Sequence, residues 1–137
     1  MLYVNVKVNK YPLQAFVDSG AQSTIISKDC AERCGIMGLM DTRFAGMAVG
    51  VGSSRILGRI HIAEMEIGGT VLPCSFTVLE DNKVDLLFGL DNLKRHQCCI
   101  DLVSSQLHIR NGEISVPFLS DGEISKKSIE NEKQLDS

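Results

Sequence analysis

The stretch Phe16-Val17-Asp18-Ser19-Gly20-Ala21, followed by the apolar pair Ile25-Ile26, constrains this chain more than any other. An apolar strand runs into an acid, a hydroxyl and a glycine, and the chain then turns apolar again. Aspartate disfavours strand interiors, so Asp18 belongs where the strand ends and the backbone loops. Gly20 lets that loop turn tightly and leaves its N–H open to close approach by a ligand. Taken alone, Asp-Ser-Gly is also ordinary turn chemistry, with Asp18 and Ser19 bonding nearby backbone N–H groups. Whether it is a turn or a site depends on the rest of the chain.

Leu2, Val4, Val6 and Val8 alternate with Tyr3, Asn5, Lys7 and Asn9, the period of a half-buried strand. Asn9-Lys10 is a turn, and Pro12 opens a second strand through Val17, so a hairpin delivers Asp18 at its far end. Ser27 caps a short helix over residues 28–34 with Gly35 as its stop, and Cys30, Ala31 and Cys34 share the inner face. Residues 36–41 read as a loop. Residues 43–67 are strand-like and interrupted by glycines, with Gly50-Val51-Gly52 as a hairpin tip. Ile56, Ile60 and Ile62 are in one phase and Met65 and Ile67 in the other, which predicts a bulge near Ala63-Glu64. Gly68-Gly69 is the next turn, and Leu72, Cys74, Phe76 and Val78 point inward along the strand after it. Leu86-Leu87-Phe88-Gly89 is a buried strand stopped by glycine, and residues 90–97 form a short helix. Two short strands flank Ser104-Ser105, and Asn111-Gly112 signals a type I′ hairpin into Ile114, Val116 and Phe118. From Ser120 the chain is polar and aperiodic. We therefore expect one domain over residues 1–119, a disordered tail over residues 120–137, and a mostly β, barrel-like fold with one or two short helices.

The 137 residues carry a net charge of −3, which argues against nucleic acid or an anionic membrane as a partner. Five cysteines, an odd number without framework spacing, suit reduced thiols in the cytoplasm or nucleus. Cys30 and Cys34 make one loose pair and Cys98-Cys99 an adjacent one, so buried small thiols are expected rather than a zinc site; no metal or cofactor is predicted. A cysteine–histidine nucleophile from Cys34 or Cys98 with His61 or His96 has no local signature. The Gly46–Gly52 segment lacks the lysine and following helix of a phosphate loop. Carboxylates remain. One aspartate cannot be acid and base in the same step, whereas two pressed together share one proton and supply both roles. The chain holds one Asp-Ser-Gly loop, so a two-fold homodimer must bring the second. Asp85, Asp91 and Asp101 read as a loop acid, a helix-start residue and a turn or edge residue.

Phe16-Val17-Asp18-Ser19-Gly20-Ala21, the glycine-tipped hairpin and Leu86-Leu87-Phe88-Gly89, the two ends about 70 residues apart, resemble the retroviral-type aspartic proteases. Cys30-Ala31-Glu32-Arg33-Cys34, Leu72-Pro73-Cys74-Ser75-Phe76 and Leu93-Lys94-Arg95-His96-Gln97-Cys98 are similar to the retroviral-protease-like domain of the DNA-damage-inducible ubiquitin-shuttle family. That resemblance implies a retropepsin-like closed β-barrel, homodimeric, with Asp18 as the catalytic aspartate and no cofactor. It implies an active-site loop of Ser19, Gly20 and Ala21, with Ser19 bonding across the dimer. The flap would be Gly46, Met47, Ala48, Val49, Gly50, Val51, Gly52 and Ser53, with Leu87, Phe88 and Gly89 supporting the loop. The viral enzymes have an acid after Gly-Ala and an arginine after the second glycine; here these positions are Gln22 and Leu90.

The implied activity is an aspartic endopeptidase acting on polypeptides, ubiquitin-tagged ones in particular. Ubiquitin and proteasome contacts would come through other domains of a longer parent protein. The competing readings are a dimerisation or peptide-binding module with weak or no catalysis, and a metal- or redox-linked thiol domain. The first strand and the strand over residues 114–119 are the expected dimer edges, because terminal edges invite pairing.

Overall fold

A computed structural model of the chain describes residues 2–48, 54–81 and 84–124. Strands β1 (Tyr3–Val8) and β2 (Tyr11–Val17) form the expected hairpin. Its loop is the pair Asn9 and Lys10, both at positive φ (49° and 69°), the mirror-image turn whose twist suits antiparallel strands. Val4, Val6 and Val8 face the core. Tyr3, expected outward with Asn5 and Lys7, is buried instead: its ring lies 5.4 Å from that of Phe16, and Leu119 N–H bonds to its carbonyl.

After the loop containing Asp18 come β3 (Ile25–Ser27) and helix α1 (Lys28–Arg33). The Ser27 hydroxyl accepts from Cys30 N–H as an N-cap, and Gly35 takes φ 71° beyond the end. Cys30, Ala31 and Cys34 are buried. Residues 36–41, expected as a loop, contain a 3₁₀ turn (Met37–Leu39) and a two-residue strand β4 (Met40–Asp41). Gly58 is the reason the chain comes so close: a Cβ there would lie 2.7 Å from both Asp41 O and Met40 Cγ.

Strand β5 (Gly46–Ala48) pairs with the start of β6 (Ser54–Ile67), forming the two arms of the glycine-tipped hairpin. Its tip, Val49, Gly50, Val51, Gly52 and Ser53, lies outside the described residues. Gly68 and Gly69 turn the chain into β7 (Thr70–Leu79), whose Leu72, Cys74, Phe76 and Val78 are buried as expected. The phase change in β6 is a register shift between Ile60 and Ala63, slightly earlier than the pattern suggested. One extra residue there turns Ile62 out to 64% exposure, although its spacing from Ile60 had placed it inward.

Strand β8 (Leu86–Phe88) inserts between β2, to which it is parallel, and β3, to which it is antiparallel. The order β1-β2-β8-β3-β7-β6 closes through Lys7↔Glu66 and Val8↔Met65 into a six-stranded barrel, with β4 and β5 added on β6. Its interior holds Ile26, Ile60, Met65, Leu72, Phe76, Leu86 and Phe88, each essentially inaccessible. Burying such side chains contributes roughly 1.5–3 kcal/mol apiece. The mostly β, retropepsin-like barrel with two short helices is as expected.

Helix α2 (Leu90–Arg95) follows, and then a second sheet of β9 (Cys99–Asp101), β10 (Gln106–Ile109) and β11 (Ile114–Pro117). The last hairpin is present, but its turn is shifted by one residue. Arg110 and Asn111 are the left-handed pair (φ 53° and 58°), closed by Gly112 N–H to Ile109 O. Ile109 pairs with Ile114, so Gly112 extends the loop instead of forming its centre. Past Leu119, Ser120 N–H and hydroxyl bond Glu123 Oε1, Gln14 Nε2 donates to Glu123 O, and Ile124 is buried. The remainder of the expected tail, residues 125–137, lies outside the described residues.

Candidate active site

Strand periodicity puts Phe16 and Asp18 on one face and Val17, buried in the barrel, on the other. Asp18 N–H bonds Phe88 O (3.0 Å), extending the β2–β8 ladder by one rung and fixing where the loop leaves the sheet. Asp18 Oδ1 accepts from Gly20 N–H at 2.9 Å, and Ala21 N–H returns to Asp18 O at 3.2 Å. A Cβ on Gly20 would sit 3.2 Å from that same Oδ1. Any side chain at position 20 would therefore press on the carboxylate. Asp18 is partly exposed, and the side chain of Ser19, which is exposed, has no hydrogen-bond partner among the described residues.

Leu86-Leu87-Phe88-Gly89 supports the loop from behind. Phe88 is buried in the core, while Leu87 opposes Phe16 and Ile25 on the outer face. Gly89 meets the loop most closely: a Cβ there would be 2.4 Å from Ser23 O, 2.6 Å from Ser23 C and 2.9 Å from Thr24 N. Only glycine allows that approach. Leu90 N–H bonds Ala21 O (2.7 Å) and Asp91 N–H bonds Gln22 O (3.1 Å). Around Gln22 and Leu90, which form no charge pair, the loop and helix are thus joined by backbone.

Beneath the loop lies a polar network that no sequence motif marks. Thr24 is buried, and its hydroxyl takes Gly89 N–H (3.0 Å) and Asn92 Nδ2 (2.7 Å) and donates to Asp91 Oδ1 (2.6 Å). Asp91 Oδ1 also accepts Thr24 N–H (3.0 Å) and Asn92 N–H (2.7 Å). Asn92 reaches β7 through Nδ2 to Ser75 O (2.8 Å) and Ser75 N–H to its Oδ1 (3.3 Å). Asp91 is a helix-start residue as read, but its carboxylate also locks α2 to the loop that carries Asp18. The available signal was two adjacent polar residues, Asp91 and Asn92, immediately after a buried Leu-Phe-Gly run.

Asp85 accepts from Arg33 Nη2 (2.9 Å), and Asp101 caps its turn through Val103 and Ser104 N–H. Of the thiols, the one brought to a histidine is Cys74, with Sγ 3.7 Å from His96 Nε2. Burial pushes that thiol up to about 12, which keeps it an unreactive SH. His61 instead meets Asp41 Oδ2 at 2.9 Å.

Beside the loop, Ser19, Leu90, Leu93, Cys98 and Ile100 line a mostly apolar hollow of about 280 Å³. The β9–β10 turn next to it carries Leu102 and Val103, 71% and 100% exposed. Of the expected edges, β1 has β2 along one side and is met on the other at its ends, by β6 at Lys7 and Val8 and by Leu119 at Tyr3.

A family model described as aspartyl protease matches residues 1–101. The DNA damage-inducible protein 1 of Cryptococcus neoformans is 66% identical over 128 residues, 93% of this chain and 29% of that protein. Protein DNA-DAMAGE INDUCIBLE 1 of Arabidopsis thaliana is 55% identical, over 97% of this chain and 32% of its own length. The chain therefore spans about three-tenths of the length of these curated relatives. The crystal structure of the retroviral protease-like domain of Ddi1 from Leishmania major superposes with a TM-score of 0.83 at 49% identity, covering 90% of this chain and 98% of that one. The closed barrel accords with these matches, and the chain belongs to the aspartyl protease family as a retroviral protease-like domain of the Ddi1 type.

Proposed function

We propose that this domain is an aspartic endopeptidase that works as a homodimer, with Asp18 from each chain forming one catalytic pair. The observation carrying this reading is the Asp18 loop: a partly exposed carboxylate at a strand end, held by Gly20 N–H and braced by Gly89. Two such carboxylates at hydrogen-bond distance share a single proton, because both cannot ionise together. The ionised member takes a proton from water as it attacks the scissile carbonyl. The protonated member donates to the carbonyl oxygen. The member that took the water proton then passes it to the amide nitrogen while the other takes a proton back from one hydroxyl. The tetrahedral species thus collapses to an acid and a neutral amine, and the pair again holds one proton. Neither a metal nor an acyl-enzyme takes part.

One chain carries one such loop, so the pair requires a second copy around a two-fold axis. The apolar hollow beside Ser19 and the exposed Leu102–Val103 turn favour that face as the contact, with the Ser19 hydroxyls bonding across it. The substrate is an extended polypeptide closed in by the hairpin of β5 and β6. Ubiquitin-tagged proteins follow from the family resemblance, with ubiquitin and proteasome contacts made by parts of a longer protein. Five unpaired thiols, three of them buried, suit a cytoplasmic or nuclear setting. Asp18→Asn should abolish cleavage of an unfolded protein substrate, a loss of at least about a thousandfold, while leaving the fold intact. A peptidomimetic aspartic-protease inhibitor should block the wild type. Undiminished cleavage by the Asn variant would overturn the assignment.

A further inference from the structure

Strand register extends the Asp18 face well beyond the loop. Phe16 on β2 opposes Leu87 on β8; Leu87 opposes Ile25 on β3; Ile25 opposes Thr77 on β7; and Thr77 opposes Arg59 on β6. Directly opposed residues point to the same side of a sheet, so these five form one continuous row. Their strand neighbours Val17, Phe88, Ile26, Val78 and Ile60 point into the barrel core, which puts the row on the side that Asp18 faces. The row begins apolar at Phe16, Leu87 and Ile25, passes the hydroxyl of Thr77 and the guanidinium of Arg59, and continues to Asp41 on β4.

Arg59 is half-buried, and among the described residues its one side-chain hydrogen bond is a long one, Nη1 to Thr77 Oγ1 at 3.4 Å. The carboxylate opposite it across the β4–β6 pair is Asp41, and that group is already engaged. Arg43 takes both Asp41 oxygens (2.7–3.2 Å) and His61 Nε2 lies 2.9 Å from Oδ2. No ion pair with Arg59 occurs among the described residues. A guanidinium that follows an apolar row, with its donors largely unspent and the neighbouring Asp41 carboxylate taken by Arg43, is arranged to receive an anion.

We infer that Arg59 is a specificity-determining residue that selects an acidic side chain in the substrate. This rests on the endopeptidase reading above. Arg59 lies two strands beyond Ile25, roughly 10 Å along the sheet at the usual strand spacing. An extended peptide covers that span in about three residues. The side chains flanking the scissile bond therefore meet Phe16, Leu87 and Ile25, and those two to four residues away reach Arg59. A two-fold dimer repeats the arrangement on both sides of the bond.

The test measures binding, so it does not depend on turnover. Peptides with apolar residues at the central pair and a reduced, uncleavable central bond carry a single Glu, or Gln in its place, walked from the second to the fourth position on each side. Affinity is read by fluorescence anisotropy. The wild type should bind the Glu peptide about tenfold tighter at the matching position, with the advantage shrinking in high salt. Arg59→Gln should remove the preference, and Arg59→Glu should turn it towards Lys at that position. Equal binding of Glu and Gln peptides at every position, or a preference that survives Arg59→Gln, overturns the inference. Cleavage of the matching normal peptide, assayed beside Asp18→Asn, separates the two readings. Cleavage without acid preference overturns the subsite alone. Acid-dependent binding without cleavage supports the subsite and overturns the endopeptidase. Failure to bind any of the peptides overturns both.

Discussion

Asp91 Oδ1 accepts three hydrogen bonds, while Oδ2 is buried with no partner among the described residues. That asymmetry makes separable predictions. Asp91→Ala strands the Thr24 and Asn92 donors beneath the Asp18 loop and should cost about 2–4 kcal/mol in urea denaturation. Asp91→Asn keeps the accepting oxygen but puts an unpartnered NH2 where Oδ2 sits, so it should cost about 1–2 kcal/mol, less than Asp91→Ala. Equal costs would contradict the role given to Oδ1. Gly89→Ala drives a methyl into the Ser23–Thr24 backbone and should destabilise the fold by about 3 kcal/mol, read in the same way. Asp18 and Gly89 were legible in the sequence because a strand-ending acid and a strand-stopping glycine each break an apolar run. Thr24 and Asn92 were not, since a buried threonine or asparagine looks like any polar residue until its partners arrive from elsewhere in the chain.

Helix α2 is held to β7 by a second contact, His96 Nε2 at 2.8 Å from Pro73 O. Burial, with Arg95 and Arg110 nearby, lowers the affinity of this histidine for a proton. An unfolded histidine protonates near its ordinary 6.5, before the folded one does, so stability is full above that pH and declines as the pH falls below it. Asp41, held by Arg43 and His61, and Asp101, held by His108 and Ser104, both lie well below the usual carboxylate range. Their contribution is present above about pH 4 and is lost as the pH falls further. Melting temperature should thus decline in two stages on acidification, and His96→Gln should remove the first. A single stage near pH 4 in the wild type would contradict this account of α2. At this scale the sequence was legible wherever period and punctuation agreed, as in the β1–β2 hairpin and the Ser27-capped helix. It misled where one residue changed sides: the Ile60–Ala63 bulge that exposes Ile62, and the turn centred on Arg110-Asn111. Local patterns do not encode register, which is set by the strand alongside.

The barrel closes through pairs remote in sequence, Phe16 with Leu87 and Lys7 with Glu66, and the same closure assembles the row from Phe16 to Arg59. No stretch of sequence shows that row, because its five residues come from five strands. Resemblance to the retroviral-type proteases supplied the architecture, and register supplied the surface. In the proposed dimer each chain carries half a site, with the apolar hollow beside Ser19 at the contact. Ile100→Asp places a charge in that hollow and should shift the wild type, expected at twice the 15.0 kDa chain mass in light scattering, to monomer. A dimer unaffected by this change would place the contact elsewhere.

The central claim, one catalytic aspartate from each of two chains, is tested most directly by mixing. Wild-type and Asp18→Asn chains are unfolded together, refolded at constant total concentration and assayed on one peptide substrate. If only dimers with two Asp18 carboxylates cleave, activity falls as the square of the wild-type fraction, to about a quarter at an equal mixture. A linear fall, leaving about half, would mean that each chain acts alone and would contradict the shared site.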